Sequence, residues 1–496
     1  MIDTLFDSPI GPFIGPALWG ANALVFTYFV VLNASYLTLS VIAFRAVKRY
    51  AERLRSLDVK ETIAHAGAPP ITLIAPAYNE EATVVESVRS LLSLNYPEYE
   101  VIVVNDGSGD ATVERMIEAF DLRPSPKMST FDVDTAEVRR TYRSRRHPHL
   151  WLVDKENGGK ADALNAGLCY CRTPLFCAMD ADTLLERDAL IRVVRPFLED
   201  ARTVAAGGII RIANGCTIEG GAVTDIRLPD SLVARLQVLE YLRAFLVGRM
   251  GWDTVKGNLI ISGAFGIFRR STVIAAGGFS TKTVGEDMEL VVRLHRYCLD
   301  HEIPYRVSFV PDPVAWTEAP ESLRILGRQR DRWQRGLSES LTMHRKMLLR
   351  TKYGRIGMAV MPHFYFLEMW GPLVEVMGYV VFLLTVLAGW ASPAYVSAFL
   401  MVTIVLGIAL SVAALALEEL AFRRYPRPTD LLRLFVLAVT ENVGYRQITA
   451  FWRLRGLVRF LRKTKGWGVM PRAGFGGGKT RAAATETAGS EASEEG

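Results

Sequence analysis

The sequence predicts a doubly wound, mainly parallel α/β domain inserted between transmembrane helices. Three observations predict it. Residues 8–44 and 376–417 carry no charged side chain. Between them, short β-rich runs alternate with amphipathic helical stretches, the pattern of parallel strands joined by crossover helices. Half of the 496 residues are apolar, and the excess is concentrated in a few runs rather than spread through one core.

The first apolar run, Ala21 to Phe44, is long enough to cross a ~30 Å hydrocarbon layer at ~1.5 Å per residue. The preceding residues 1–20 offer no basic region and no clear small-residue cleavage site, so the run reads as a retained anchor. Arg45, Lys48, Arg49, Arg53 and Arg55 follow it, which puts the next segment in the cytosol and the N-terminus outside. Residues 45–320 then form the soluble domain. Ile71–Ala75 is its first buried strand, and Val84, Val85, Val88, Leu91 and Leu92 fall on one helical face. Glu100–Asn105, Leu150–Val153, Leu175–Met179 and Val204–Ile212 repeat the strand pattern. Residues 121–149 break the rhythm and read as a polar insertion or mobile loop.

Residues 321–355 read as interfacial helices. Ile356–Trp370 is apolar but interrupted by Pro362, His363 and Glu368, so residues 356–390 read as an interfacial helix running into a span at Pro372. Val376–Leu417 is 42 residues, about twice one span, with a turn at Gly389–Pro393. That is a transmembrane hairpin, its second arm over 394–417, returning to Arg423, Arg424 and Arg427. Leu431–Trp452 contains Glu441 and Arg446 and precedes Arg453, Arg455, Arg459, Arg462, Lys463 and Lys465. A full span would place those cations outside, so residues 429–463 are expected to be re-entrant or interfacial. Residues 476–496 are small and polar and are expected to be disordered.

The net charge of +6 lies largely beside the apolar runs, pointing to a lipid bilayer and not to nucleic acid. The five cysteines (Cys169, Cys171, Cys177, Cys216, Cys298) form no paired CxxC pattern, which argues against structural zinc and suits a reducing cytosol.

Six motifs follow strands or open helices, where α/β sheets bind ligands. Pro76-Ala77-Tyr78-Asn79-Glu80 offers a ring to stack on a base, or else an ordinary helix cap. Asn105-Asp106-Gly107-Ser108 offers a carboxylate to a ribose or base, or else a turn. Gly158-Gly159-Lys160 opens a helix with close backbone approach and a point charge suited to phosphate. Asp180-Ala181-Asp182 supplies two hard oxygen donors fit for Mg²⁺ or Mn²⁺. Gly285-Glu286-Asp287 opens a helix with a candidate general base, or with a partner for the helix dipole. In Gln329-Arg330-Asp331-Arg332-Trp333, helical spacing turns Gln329, Arg332 and Trp333 to one side. The alternative there is a helix lying on the membrane with Arg328, Arg330 and Arg335 facing headgroups.

Taken in order, PAYNE, NDGS, GGKADALN, DAD, GED and QRDRW resemble the processive family-2 glycosyltransferases, the cellulose, hyaluronan, chitin and poly-N-acetylglucosamine synthases. The motifs cover roughly residues 68–340, and the membrane pattern extends the likeness to about residue 475. The resemblance implies a GT-A fold and a UDP-sugar donor, UDP-GlcNAc or UDP-glucose. It implies that Ala77, Tyr78, Glu80 and Asp106 hold the uridine, with Lys160 and Asp180 near the diphosphate. Asp182, with Asp180, would hold Mg²⁺ or Mn²⁺. Asp287, beside Glu286, matches the catalytic base of a Thr-Glu-Asp motif whose Thr is here Gly285. Gln329, Arg332 and Trp333 match the motif at the acceptor and pyrophosphate side, and Ser262 and Gly263 lie in an acceptor-contacting loop. Within residues 464–475, Trp467, Gly468 and Arg472 resemble a gating loop, with altered spacing to the arginine.

The implied reaction is inverting, metal-dependent transfer onto a growing β-linked polysaccharide, coupled to export through the membrane, with an export subunit as a further partner. The alternatives are a non-processive transferase adding one sugar to a lipid acceptor, or an inactive receptor or scaffold on the same fold.

Overall fold

A computed structural model of the chain describes residues 11–56, 67–131, 133–219, 221–425 and 427–464. Trp467, Gly468, Arg472 and the tail at 476–496 lie outside the described residues. Helix α1 (Gly11–Ser56) leads into β1 (Ile71–Ala77), α2 (Val84–Leu92), β2 (Tyr99–Asp106), α3 (Thr112–Phe120), β3 (Leu122–Pro124), β4 (Val138–Ser144) and β5 (Leu150–Lys155). There follow α4 (Lys160–Tyr170), β6 (Leu175–Met179), β7 (Leu184–Leu185), α5 (Ala189–Glu199), β8 (Thr203–Ile212) and the hairpin β9 (Thr217–Glu219) and β10 (Ala222–Asp225). Next are α6 (Leu232–Tyr241), a π-helical stretch Leu242–Gly248, α7 (Arg249–Thr254), β11 (Phe265–Arg269), α8 (Arg270–Ala275), α9 (Glu286–Asp300), β12 (Arg306–Thr317) and α10 (Leu323–Met343).

The main sheet runs β3-β4-β5-β2-β1-β6-β11-β8-β12-β7. Its central pairs, β5 with β2, β2 with β1, β1 with β6, and β8 with β12, are parallel, while β11 inserts antiparallel between β6 and β8. This is the mainly parallel α/β domain that the sequence predicts. Alternation along the strands sends residues to opposite faces. Leu73 and Ala75 face Val88 and Leu91 of α2 and Val193 of α5, whereas Ile74 faces Leu164 of α4 and Leu290 of α9. Register aligns Ala77 with Asn105 and Asp106 with Lys155. The ends of three neighbouring strands therefore fall at one edge, and the loops after them share it.

Residues 121–149 are not a loop throughout. They contain β3 and β4, an antiparallel pair that extends the sheet from β5. Arg139, Arg140 and Arg143 in β4 are exposed. With solvent over their side chains these arginines cost little, so the strand escapes a search for buried alternation.

Helix α1 continues without a break through the basic residues Arg45 to Arg53 that were expected to end the span. After α10, two π-helical stretches within Ile356–Met369 meet α11 (Gly371–Leu387) at a 45° bend. A single helix α12 (Pro393–Ala421) returns, followed by α13 (Pro428–Thr440) and α14 (Tyr445–Leu461). Among the described residues, α1 over Gly15–Arg53 and α12 are long and apolar enough to cross a membrane, and the bent pair makes up to three. Leu24, Val31, Leu37, Leu383, Leu387, Met401 and Val405 are exposed on these helices. Such outward apolar faces suit lipid, not water. The stretch 431–452 is broken at Glu441–Gly444 into α13 and α14, so it forms no continuous span.

The α/β domain is joined to the apolar helices by one buried cluster. Ala43 and Val47 of α1, Ile209 and Ile212 of β8, Phe245, and Leu415 and Leu417 of α12 pack together. Within this junction Arg211 of β8 pairs with Glu418 of α12, both side chains almost fully buried (3% and 1% exposed). A buried charge left alone is far more costly than a pair replaced by apolar groups. Glu418→Ala should therefore cost about 3–5 kcal/mol, read as a lower thermal midpoint. The double variant Arg211→Met/Glu418→Leu should recover most of the loss; a double variant no better than the single would contradict this role for the pair.

Candidate active site

The turns after β1 and β2 are laced together. Asn79, at φ 54°, accepts from the Gly109 amide at 2.9 Å, and its own amide donates to Ser108 Oγ at 3.0 Å. The Glu80 amide donates to Thr112 Oγ1 at 2.9 Å, and Glu80 Oε2 accepts from Thr83 Oγ1 at 2.5 Å. Tyr78 stands 54% exposed above these turns. Asp106 is 3% exposed, and its carboxylate is engaged by its own scaffold. Oδ1 accepts from Lys155 Nζ at 2.7 Å and the Gly158 amide at 3.0 Å; Oδ2 accepts from the Gly159 amide at 2.8 Å. Asp106 thus anchors the Gly158-Gly159 loop.

Lys155 was missed by sequence reasoning. Its ammonium is fully buried between Asp106 and Asp162, at 2.7 and 2.5 Å. Its signal was available: a lysine ending a strand directly before the glycine loop. Together Asp106 and Lys155 fix the start of α4, and so aim Lys160.

Lys160 Nζ lies 2.6 Å from Asp180 Oδ1 and 3.0 Å from Glu286 Oε1. Burial alone would lower its pKa, but Asp180, Glu286 and Asp287 together hold it above the ordinary lysine range. Asp287, at the start of α9, accepts from the Gly263 amide at 2.9 Å through Oδ2 and from the Met288 amide at 2.8 Å through Oδ1. A Cβ on Gly263 would stand 2.8 Å from Lys160 Nζ and 3.3 Å from Asp287 Oδ2. The loop backbone therefore passes directly between these two groups.

The Asp287 turn is clamped to α10. A Cβ on Gly285 would fall 2.8 Å from the Gly336 Cα, so only glycine fits this approach. Glu339 Oε2 accepts from Thr283 Oγ1 and the Val284 amide, each at 2.9 Å. Deeper in α9, Glu289 accepts from Arg293 and sits 2.9 Å from His344, just after α10. Helix α10 also carries Gln329, Arg332 and Trp333. It does not lay its arginines on a membrane surface: Arg330 is buried against Glu240 at 2.8 Å, and Arg335 is buried 3.6 Å from Glu339.

One cavity of about 1490 Å³ collects these groups. Lys160, Asp180, Asp182, Ser262, Gly263, Glu286, Asp287, Gln329, Arg332 and Trp333 all line it; Ala77, Tyr78, Glu80 and Asp106 do not. Away from the carboxylates it continues between the apolar helices, past Tyr36 of α1, Tyr379 and Phe382 of α11, and Phe399 and Thr403 of α12.

Asp180 and Asp182 give the cavity two hard oxygen donors suited to a divalent cation. Among the described residues no group of three or more His, Cys, Asp or Glu is arranged to hold a metal. This donor set fits an ion that takes one or two carboxylates and fills its remaining positions with phosphate and water, the habit of Mg²⁺.

Comparison with known proteins gives two sequence-family matches. The model described as glycosyl transferase family 2 matches residues 72–128, and that described as glycosyl transferase family group 2 matches residues 175–411. Poly-beta-1,6-N-acetyl-D-glucosamine synthase of Staphylococcus aureus strain COL is 28% identical over 300 residues, 60% of this chain and 61% of the relative. The Staphylococcus epidermidis protein of the same name is 30% identical over 290 residues, 58% of each chain. The chain thus spans about three fifths of the length of the curated relatives it matches. Among solved structures, the Pyrobaculum calidifontis mannosyltransferase PcManGT in complex with GDP-Man and Mn²⁺ is 18% identical, with TM-score 0.47, over 85% of this chain and 99% of that one. Staphylococcus aureus TarS 1–349 gives 14% and 0.37, over 76% and 91%.

The clamp and helix α9 can each be tested. Gly285→Thr should lower activity more than tenfold and cost about 1–3 kcal/mol by overpacking against the Gly336 backbone; unchanged activity and stability would contradict the close approach. His295 of α9 is buried, bonding the Asn258 carbonyl at 3.0 Å and the Tyr305 hydroxyl at 2.8 Å. Burial pushes its pKa from 6.5 down to about 4, against the pull of the Asn258 carbonyl. A depressed histidine contributes stability that is whole above 6.5 and is lost as pH falls toward 4. The thermal midpoint should drop across that window, and His295→Gln should flatten the slope; an equal slope in the variant would remove His295 from the explanation.

Proposed function

Because the chain belongs to glycosyltransferase family 2, we propose that it transfers a sugar from a UDP-sugar onto a growing β-linked polysaccharide, with inversion, and feeds the product into the membrane. One observation carries the reading. Lys160, Asp180, Asp182 and Asp287 share a single cavity that continues between the apolar helices. A site adding one sugar to a lipid needs an opening to the bilayer, but not an extension of the catalytic chamber between the helices. A hydrophilic polymer cannot cross hydrocarbon unaided, and Tyr36, Tyr379 and Thr403 along the extension offer it hydrogen-bonding partners.

In this reading Asp287 takes the proton of the attacking acceptor hydroxyl. Its Oδ2 is oriented by the Gly263 amide and its turn is held by α10. Lys160, preorganised among carboxylates, moves its charge onto the diphosphate as that group leaves. Mg²⁺ or Mn²⁺ on Asp182 and Asp180 would neutralise further charge on the same leaving group. Gln329, Arg332 and Trp333 bind acceptor and pyrophosphate, and Tyr78 stacks on the base. A single base on one face of the sugar means inversion, so an α-linked donor yields a β-linkage. UDP-GlcNAc is the donor favoured by the names of the curated relatives, with UDP-glucose next. The basic end of α1 supports a cytosolic catalytic domain in the cell membrane by the positive-inside rule. With two, or up to three, candidate spans among the described residues, an export subunit would complete the path outward.

The test is to incubate the purified full chain with UDP-GlcNAc, UDP-glucose and Mn²⁺, and to follow UDP release and product size. A glycosidase-digestible polymer is expected, and a lipid bearing one sugar would contradict the processive reading. Asp287→Asn should lower turnover by ~10²–10⁴ with UDP affinity retained; near-normal turnover would remove the base. Asp182→Ala should instead weaken metal-dependent UDP binding.

A further inference from the structure

Arg249 opens α7 and lines the catalytic cavity, yet no motif led to it. It is 9% exposed, and among the described residues its Nη1 has no hydrogen-bond partner. Its guanidinium is stacked over the Phe245 ring at 4.0 Å. Four other arginines lining the cavity are each spent on a carboxylate: Arg330 on Glu240, Arg243 and Arg446 on Glu441, Arg453 on Glu368. A buried guanidinium with open donors is costly to hold, so it marks a place where a ligand supplies the missing acceptors.

Its surroundings narrow the ligand. Burial pushes the Arg249 pKa down to about 9, with Asp287 the one carboxylate that opposes this. Lys160, by contrast, feels Asp180, Glu286 and Asp287. Asp287 is thus the one carboxylate that acts on both cations, and Arg249 lines the same cavity as Lys160, Asp287 and Trp333. Aromatic groups gather by Arg249 as well: Phe245 packs on Tyr241 at 4.6 Å, and Tyr241 lies 6.4 Å from Trp333. Rings flanking a guanidinium with an open donor form a sugar subsite, with apolar faces for the ring and donors for its oxygens.

We propose that Arg249 determines acceptor specificity, donating hydrogen bonds to oxygens of the terminal sugar of the glycan acceptor beside Asp287. This rests on the glycosyltransferase reading above. The ligand class is a glycan end carrying neutral oxygen acceptors, hydroxyl or acetamido carbonyl. A fixed cation at that point also repels a terminus bearing an ammonium, so an acceptor with a free amino sugar at its end is disfavoured.

The experiment uses the purified full chain, wild type and the variants Arg249→Met and Arg249→Lys. The probes are a short β-linked N-acetylhexosamine oligosaccharide, its de-N-acetylated counterpart, and UDP with Mn²⁺. Calorimetry gives the affinity for each. In Arg249→Met, affinity for the acetylated oligosaccharide should fall about 10–100-fold, and the preference over the amino form should shrink about tenfold. UDP affinity should stay within about twofold. The thermal midpoint should hold or rise, because an uncompensated buried charge has been removed. Arg249→Lys should keep the discrimination against the amino form while losing part of the affinity. The proposal is overturned if oligosaccharide affinity and preference are unchanged, or if the loss falls on UDP, which would assign Arg249 to the donor. Affinity is read here without turnover. A wild type that releases no UDP from any UDP-sugar would sink the transferase reading, while the binding data would still decide whether Arg249 holds the glycan.

Discussion

Asp180, Glu286 and Asp287 converge with one ammonium between them, and the rest of the site follows from that arrangement. Carboxylates in a partly dry chamber repel each other and resist ionisation unless a cation is held among them. Lys160 is that cation, 2.6 Å from Asp180 and 3.0 Å from Glu286. Its position is set by elements distant in sequence. Asp106 and the buried Lys155 fix the loop that starts α4; the end of β6 brings Asp180; the start of α9 brings Glu286 and Asp287. In the proposed reaction an arriving diphosphate and divalent ion would replace one set of charge partners with another.

Two further constraints tie this chamber to its surroundings. The Gly285–Gly336 approach and the Glu339 bonds tie the turn carrying Asp287 to the helix carrying Gln329, Arg332 and Trp333. The Arg211–Glu418 pair and the apolar cluster around it fasten the α/β domain to the apolar helices. The cavity can therefore keep its course from Asp180, Asp182 and Asp287 to the space between α1, α11 and α12.

Much of this was legible in the sequence because it was carried by patterns of period and position. The five strands read from apolar runs are all strands, and the motif residues after them do gather at one sheet edge. What escaped has physical reasons. Strand β4 is rich in arginine because its side chains meet solvent, so no buried alternation exposes it. Asp106 also anchors a loop some 50 residues on, a contact without local signature in the sequence. That Gly285 stands where the motif has a threonine gains its meaning only from the neighbouring Gly336 backbone. Lys155 and Arg249 lie outside every motif, and only burial shows what each is worth: one cation fully paired, the other open to the cavity.

The proposed catalysis requires above all that Lys160 be the charge the donor diphosphate meets. The most direct measurement is the affinity of the purified chain for UDP, with Mn²⁺ present, in wild type and Lys160→Gln. A loss of tenfold or more, with thermal stability close to that of wild type, is the outcome this arrangement predicts. UDP bound equally well by the glutamine variant would show that the nucleotide sits elsewhere, and that the cluster around Lys160 merely supports the fold.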